Sequence, residues 1–262
     1  MFAILGAHRG AAVATTKLPV KLKDVPIVDA VFELRFKAAL PASSVLPGYL
    51  FSGLEGKKEI QRLPAAELPE AMRNLDVNLQ YAPHIRLLWE VFTILVGDRS
   101  FGVTCLIPYP GWSKFKKAII EISGLIAGTK LLAEVERLSL KYTNIIPNSF
   151  GSAAEIVEFD LKLGSRDARN GPFHVRAEIS DGDVFHIVQF ASHGLASLID
   201  GSSREGTVID IDTIRNNDEN ADPTKFFEHL PQHLEDIHHK TKAMFFSFLK
   251  PAAIEKLGPT YD

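Results

Sequence analysis

The chain has 262 residues, 46% hydrophobic and 23% charged, with a formal net charge of −3. That is an ordinary globular composition, long enough for one large domain or two closely packed small ones. Its single cysteine, Cys105, excludes an internal disulfide and a zinc site built on several cysteines of one chain, and it fits a reducing cytoplasm. No Lys/Arg block suggests nucleic acid, since Lys114, Lys116 and Lys117 form the densest basic cluster. No segment approaches the ~20 apolar residues that span a bilayer.

Residues 1–17 lack a positively charged signal region and are rich in small residues, so they are expected to form a loose arm. The first strand is predicted from Ile27 to Phe36, with Phe32, Leu34 and Phe36 on one side and Glu33 and Arg35 on the other. Residues 41–83, broken by Pro and Gly, are expected to hold short helices joined by turns. A hairpin follows, with strands over 85–96 and 100–107 about the turn Gly97-Asp98-Arg99. Phe115, Ile119, Ile122 and Ile126 recur at helical spacing, and Gly128 supplies a stop. EVERLSLKYTNIIP reads as a strand that needs one irregularity to bring Val135, Leu138 and Leu140 to one side.

In the second half EIVEFDLKLG alternates as a strand. FHVRAEIS and DVFHIVQFA flank the turn Asp181-Gly182-Asp183, and TVIDIDTI gives a last strand. Asp222-Pro223 opens a C-terminal helical region that Pro231 is expected to divide, because an interior proline costs about 3 kcal/mol. Beyond it Leu234, Ile237, Thr241, Met244, Phe245 and Phe248 form an apolar stripe. The fold class is α+β, a largely antiparallel sheet with helices packed on one face. The arm and two portions, 18–148 and 149–262, make one compact unit. The portions could be related halves, but no residue-level repeat joins them.

Few motifs carry chemistry. GLEGKKE at 53–59 lacks the complete phosphate-loop pattern. ASHGLASLIDG offers Ser192, His193, Ser197 and Asp200 without a nucleophile elbow. Asp210 and Asp212 fall on one strand face opposite Ile209 and Ile211; a cation could bridge them, but a solvated face is the simpler expectation. Tyr109, Trp112 and Phe115, in PYPGWSKF, stand at a strand-to-helix junction, either plugging the core or forming a pocket rim. The stretch EHLPQHLEDIHHK contains His229, His233, His238 and His239. A helix break at Pro231 would separate His229 from His233 and dissolve a ligand set with Asp236, so no metal and no cofactor are assigned. His238, at the edge of the stripe, is expected to meet a carbonyl or carboxylate.

PIVDAVFELRF, PYPGWSKF, LSLKYTNII, VIDIDT and the closing L-x-x-I-H-x-x-x-x-x-M-F helix stand in order along the chain. In these motifs, from about residue 18 onward, the chain resembles a sporadically distributed family of uncharacterised bacterial and archaeal proteins of about this length. Lys141 precedes Tyr142 where that family usually has Arg, and a lysine cannot reproduce a bidentate contact. The resemblance implies no catalytic activity. It implies a non-enzymatic cytoplasmic interaction protein of a bacterial conflict system, antiphage or toxin–antitoxin-like, with a protein partner encoded nearby and a homodimer left open. Two other readings are a carrier or sensor of a hydrophobic small molecule held between sheet and C-terminal helix, and a metal-dependent hydrolase using Asp210, Asp212 and histidines. The candidate interaction or pocket residues are Tyr109, Trp112, Lys141, Tyr142, Asn144, His238, Phe245 and Phe248.

Overall fold

The computed structural model describes residues 17–76, 79–169, 171–197, 201–218 and 222–261. The proposed arm, apart from Lys17, and Asp200 lie outside them. Nine strands form the main sheet: β1 (Ile27–Ala38), β2 (Lys58–Arg62), β3 (Ile85–Trp89), β4 (Phe92–Val96), β5 (Ser100–Cys105), β6 (Leu132–Pro147), β7 (His174–Asp181), β8 (Val184–Ser197) and β9 (Ser203–Asn216). Their order across the sheet is β7-β8-β9-β6-β1-β5-β4-β3-β2, and every neighbouring pair is antiparallel. The helices are α1 (Ala42–Gly53), α2 (Glu70–Leu75), α3 (Trp112–Gly128), α4 (Ala153–Ile156), α5 (Pro223–Phe248) and α6 (Pro251–Lys256). The fold is therefore α+β, an extended antiparallel sheet with helices against it.

One face of the sheet is apolar because alternate residues of each strand point the same way. Phe32, Leu34 and Phe36 of β1 are fully buried there, with Leu138 and Leu140 of β6 and Ile209 and Ile211 of β9. Helix α1 lies over β3 and β4, α3 over β5, and α5 over β6 and β9. The irregularity expected in β6 is present: the pairing with β1 shifts between Arg35 and Phe36, and Val135, Leu138 and Leu140 are all fully buried.

The opposite face carries charge. Glu33 meets Arg35 at 2.7 Å and Arg137 at 3.8 Å, and Arg137 stands 3.7 Å from Asp212. Asp210 accepts from Thr143 at 2.6 Å and pairs with Lys141 at 3.2 Å. The sequence placed both aspartates correctly on one face, but they are not a solvated surface, since Asp210 is only 7% exposed. Their nearest charges are cations, which spares them the cost of burying unpaired carboxylates.

Several boundaries differ from expectation. Residues 85–96 are a complete hairpin, not one strand: the chain reverses at Glu90, which takes a positive φ of 52° without glycine's help. An edge strand, β2, lies within the segment expected to hold only helices and turns. The predicted strand at 155–164 begins instead as α4, where Ser152 and Glu155 form a reciprocal capping box. The Asp181-Gly182-Asp183 turn is present, with Gly182 at a φ of 62°.

Pro231 does not break the C-terminal helix, and α5 runs unbroken from Pro223 to Phe248. Asp222 caps it, accepting from the Thr224 amide at 2.9 Å. The reason for its continuity is burial on both sides of the proline. Phe226 and Leu230 precede it, and Leu234, Ile237 and Phe245 follow it on the same buried stripe. Each such side chain contributes about 1.5–3 kcal/mol when fully buried, so together they outweigh the roughly 3 kcal/mol that the proline costs.

Candidate functional site

The structure gathers six of the eight candidate residues into one place. Tyr109, Trp112, Tyr142, Asn144, His238 and Phe245 line a cavity of about 330 Å³ between the sheet and α5. Its floor is the apolar face of β6 and β9, where Tyr142 pairs with Ile211 in register. One wall is α5, which presents His238, Thr241, Lys242, Phe245 and Phe246. Another is the turn before α3, and the last is the segment Pro19–Ile27.

Each wall has a local cause. The turn before α3 passes through Gly111 at a φ of 92°, a conformation side-chain-bearing residues rarely adopt. It sets Tyr109 and Trp112 either side of Phe115, whose ring lies 6.2 and 6.4 Å from theirs. In β6, Tyr142 and Asn144 share a face because they are two residues apart, and Asn144 donates to the Ile209 carbonyl at 3.2 Å. The Pro19–Ile27 segment is held by a two-stranded ladder, in which Lys21 pairs with Thr260 and Leu22 with Pro259. The Val20 amide adds a 2.7 Å bond to the Thr260 carbonyl.

The aromatic groups interlock. The Trp112 and His238 rings are stacked with centroids 4.0 Å apart and planes 3° apart. Tyr142 meets His238 at 6.2 Å with its plane tilted by 65°, and meets Tyr109 edge-on at 5.8 Å. The hydroxyls of Tyr109 and Tyr142 are 3.1 Å apart. Two hydroxyl hydrogens serve that one bond, so the pair keeps one to donate. Burial pushes both phenols above their ordinary range. They therefore act as neutral hydrogen-bonding groups.

His238 answers to aromatic rings and not to the carbonyl or carboxylate expected of it. Burial, reinforced by the neighbouring Lys242 ammonium, pushes its imidazole down to about 4, so it is neutral at pH 7. The nearest carboxylate, Glu235, is engaged elsewhere, accepting from Trp112 Nε1 at 3.1 Å and from Lys116 at 2.7 Å. That arrangement fixes the indole over the imidazole. Deeper in the wall the Thr241 hydroxyl lies 2.7 Å from that of Thr213, which stands 2.8 Å from His186 Nδ1.

Two candidates lie elsewhere. Lys141 points to the charged face because its strand neighbours Leu140 and Tyr142 take the apolar one, and it pairs there with Asp210. Phe248 packs edge-on against Phe190 at 4.8 Å, near the end of α5 and away from the cavity.

The unbroken helix does put His229 above His233, with ring centroids 6.4 Å apart, contrary to the separation expected at Pro231. Arg215 takes up the rest of that constellation: it donates to His233 Nδ1 at 3.2 Å and forms a close ion pair with Asp236. Among the described residues no three His, Cys, Asp or Glu side chains are grouped to hold a metal ion. Asp210 and Asp212 face Lys141 and Arg137, while His186 lies on the helix side of the sheet beside Thr213 and Thr241. Cys105 is buried, and burial pushes its thiol up to about 12, as befits a core filler. Among the described residues no helix is long and apolar enough to cross a membrane.

Sequence reasoning missed the Pro19–Ile27 wall and Ile211; it did name Phe246, with Phe245, as lining for a hydrophobic ligand. No local pattern marks the first, because its position depends on pairing with the other end of the chain. No protein-family model and no curated protein matches this chain.

Proposed function

We propose that this protein binds a small, largely apolar molecule in the cavity between β6, β9 and α5, as a carrier or sensor. The observation that carries the reading is the convergence of Tyr109, Trp112, Tyr142, Asn144, His238 and Phe245 on one concave site. Concave apolar sites with a few convergent polar groups are the usual form of ligand pockets. The volume of about 330 Å³ equals about eleven waters of bulk liquid, which suits a guest on the order of ten to seventeen non-hydrogen atoms. Apolar and aromatic side chains make up most of the lining, and the tyrosine pair supplies a hydrogen-bond donor to orient the guest.

Among the described residues that line the cavity, none is an activated nucleophile. His238 is neutral and stacked, and the tyrosine hydroxyls are held protonated. These features favour binding over turnover. Membership of a bacterial conflict system rests on the family resemblance alone, and the genes beside this one decide it.

Native mass spectrometry of gently isolated protein tests the reading. The expected result is a released adduct of roughly one to three hundred daltons, lost from the Trp112→Ala variant. A bare chain that also fails to bind hydrophobic dyes contradicts it.

A further inference from the structure

Several polar groups of the cavity wall are already engaged. Trp112 Nε1 donates to Glu235, the Thr241 hydroxyl meets Thr213 and the Ile237 carbonyl, and Asn144 donates to the Ile209 carbonyl. Lys21 shares the Pro19–Ile27 wall with Asp24, so that wall carries both signs of charge. The tyrosine pair and His238 differ. The Tyr109 and Tyr142 hydroxyls, 3.1 Å apart, need one hydrogen for the bond between them and keep the other. The His238 ring makes aromatic contacts but no hydrogen bond among the described residues. Its nitrogens are not sealed in, unlike Nε2 of His84 and of His186, which are buried without a partner. A neutral imidazole has one N–H and one bare nitrogen, so His238 offers both a donor and an acceptor.

Tyr142 and His238 are neighbours, with ring centroids 6.2 Å apart. Two hydrogen bonds of about 2.8 Å meeting at one guest oxygen cover about that span. We infer that the ligand is a neutral hydroxyl compound, an alcohol or phenol on an apolar body, whose oxygen accepts from the Tyr109–Tyr142 pair and donates to the His238 imidazole. This rests on the binding reading above and adds the guest's polar group and the residues that select it. A hydroxyl both accepts and donates, so it serves each of them. An ether has no hydrogen for the imidazole. A hydrocarbon satisfies neither group, and it leaves them unpaired where it has displaced water.

Displacement of bound phenylnaphthylamine by three compounds of one skeleton tests this: 2-naphthol; its methyl ether, which accepts but cannot donate; and 2-methylnaphthalene, which does neither. Each is titrated against the wild type, His238→Phe and Tyr109→Phe/Tyr142→Phe, variants that keep the rings, with circular dichroism confirming that each is folded. In the wild type 2-naphthol is expected to bind about tenfold more tightly than either of the others. Its advantage over the ether falls to within about twofold in His238→Phe. Its advantage over the hydrocarbon falls at least about threefold in the double tyrosine variant. A wild type that binds the ether or the hydrocarbon as tightly as 2-naphthol, or an advantage unchanged in either variant, overturns the hydroxyl inference and leaves the pocket reading intact. Absence of saturable dye binding to the wild type overturns both.

Discussion

His238 is neutral because it has exchanged water for the faces of Trp112 and Tyr142, with Lys242 beside it. Its imidazole is pushed from 6.5 to about 4 in the folded protein. The unfolded chain therefore takes up this proton first as pH falls. The stability linked to His238 is fully present above about pH 6.5 and declines as pH drops from there to about 4, a loss of roughly 3 kcal/mol in all. His238→Phe keeps a flat ring on Trp112 and removes the proton. Urea unfolding at pH 7 and pH 4 measures the effect: the variant gains about that much relative to wild type on acidification. A stability difference independent of pH would show that the imidazole is not shielded as described. His186, also depressed by burial, acts in the same direction in both proteins and cancels in the comparison.

Helix α5 is the element on which the account depends, since it carries a whole wall of the cavity through Pro231 without a break. If that continuity is enforced by the stripe from Phe226 to Phe245, the proline is a tolerated defect. Pro231→Ala then restores a backbone donor and raises stability by about 1–3 kcal/mol, read as a higher midpoint in thermal or urea unfolding. A loss of stability would mean that the helix needs the proline's geometry. The alternation in β1, β6 and β9 was legible in the sequence, because one buried face forces period two. The helical stripes of α3 and α5 were legible for the same reason. Glu90's turn was not, since it uses a residue without turn preference. Nor was α4, where a capping box interrupts a sequence that alternates like a strand. Six of the eight candidates converge on one cavity, whereas Lys141 takes the other face, because an ordered motif does not say which side of a sheet each member takes.

At the scale of the molecule, the sheet keeps two faces with different duties. One carries the cross-strand charges of Glu33, Arg137, Asp212, Lys141 and Asp210. The other is covered by helices and leaves an aromatic cavity where α5, the α3 turn and the paired segments Lys21–Leu22 and Pro259–Thr260 meet. This cavity is expected to take an apolar guest, and the protein's two tryptophans report on it directly. Trp112 lines the cavity and donates to Glu235 at 3.1 Å; Trp89 lies in β3, donating to the Glu55 carbonyl at 2.7 Å. In a nitrogen–proton correlation spectrum each gives one indole signal, assigned by the Trp112→Ala spectrum. Titration with neutral phenylnaphthylamine is predicted to shift the Trp112 indole saturably while the Trp89 indole stays in place. A stationary Trp112 signal at saturating dye, or equal movement of both, would contradict the account.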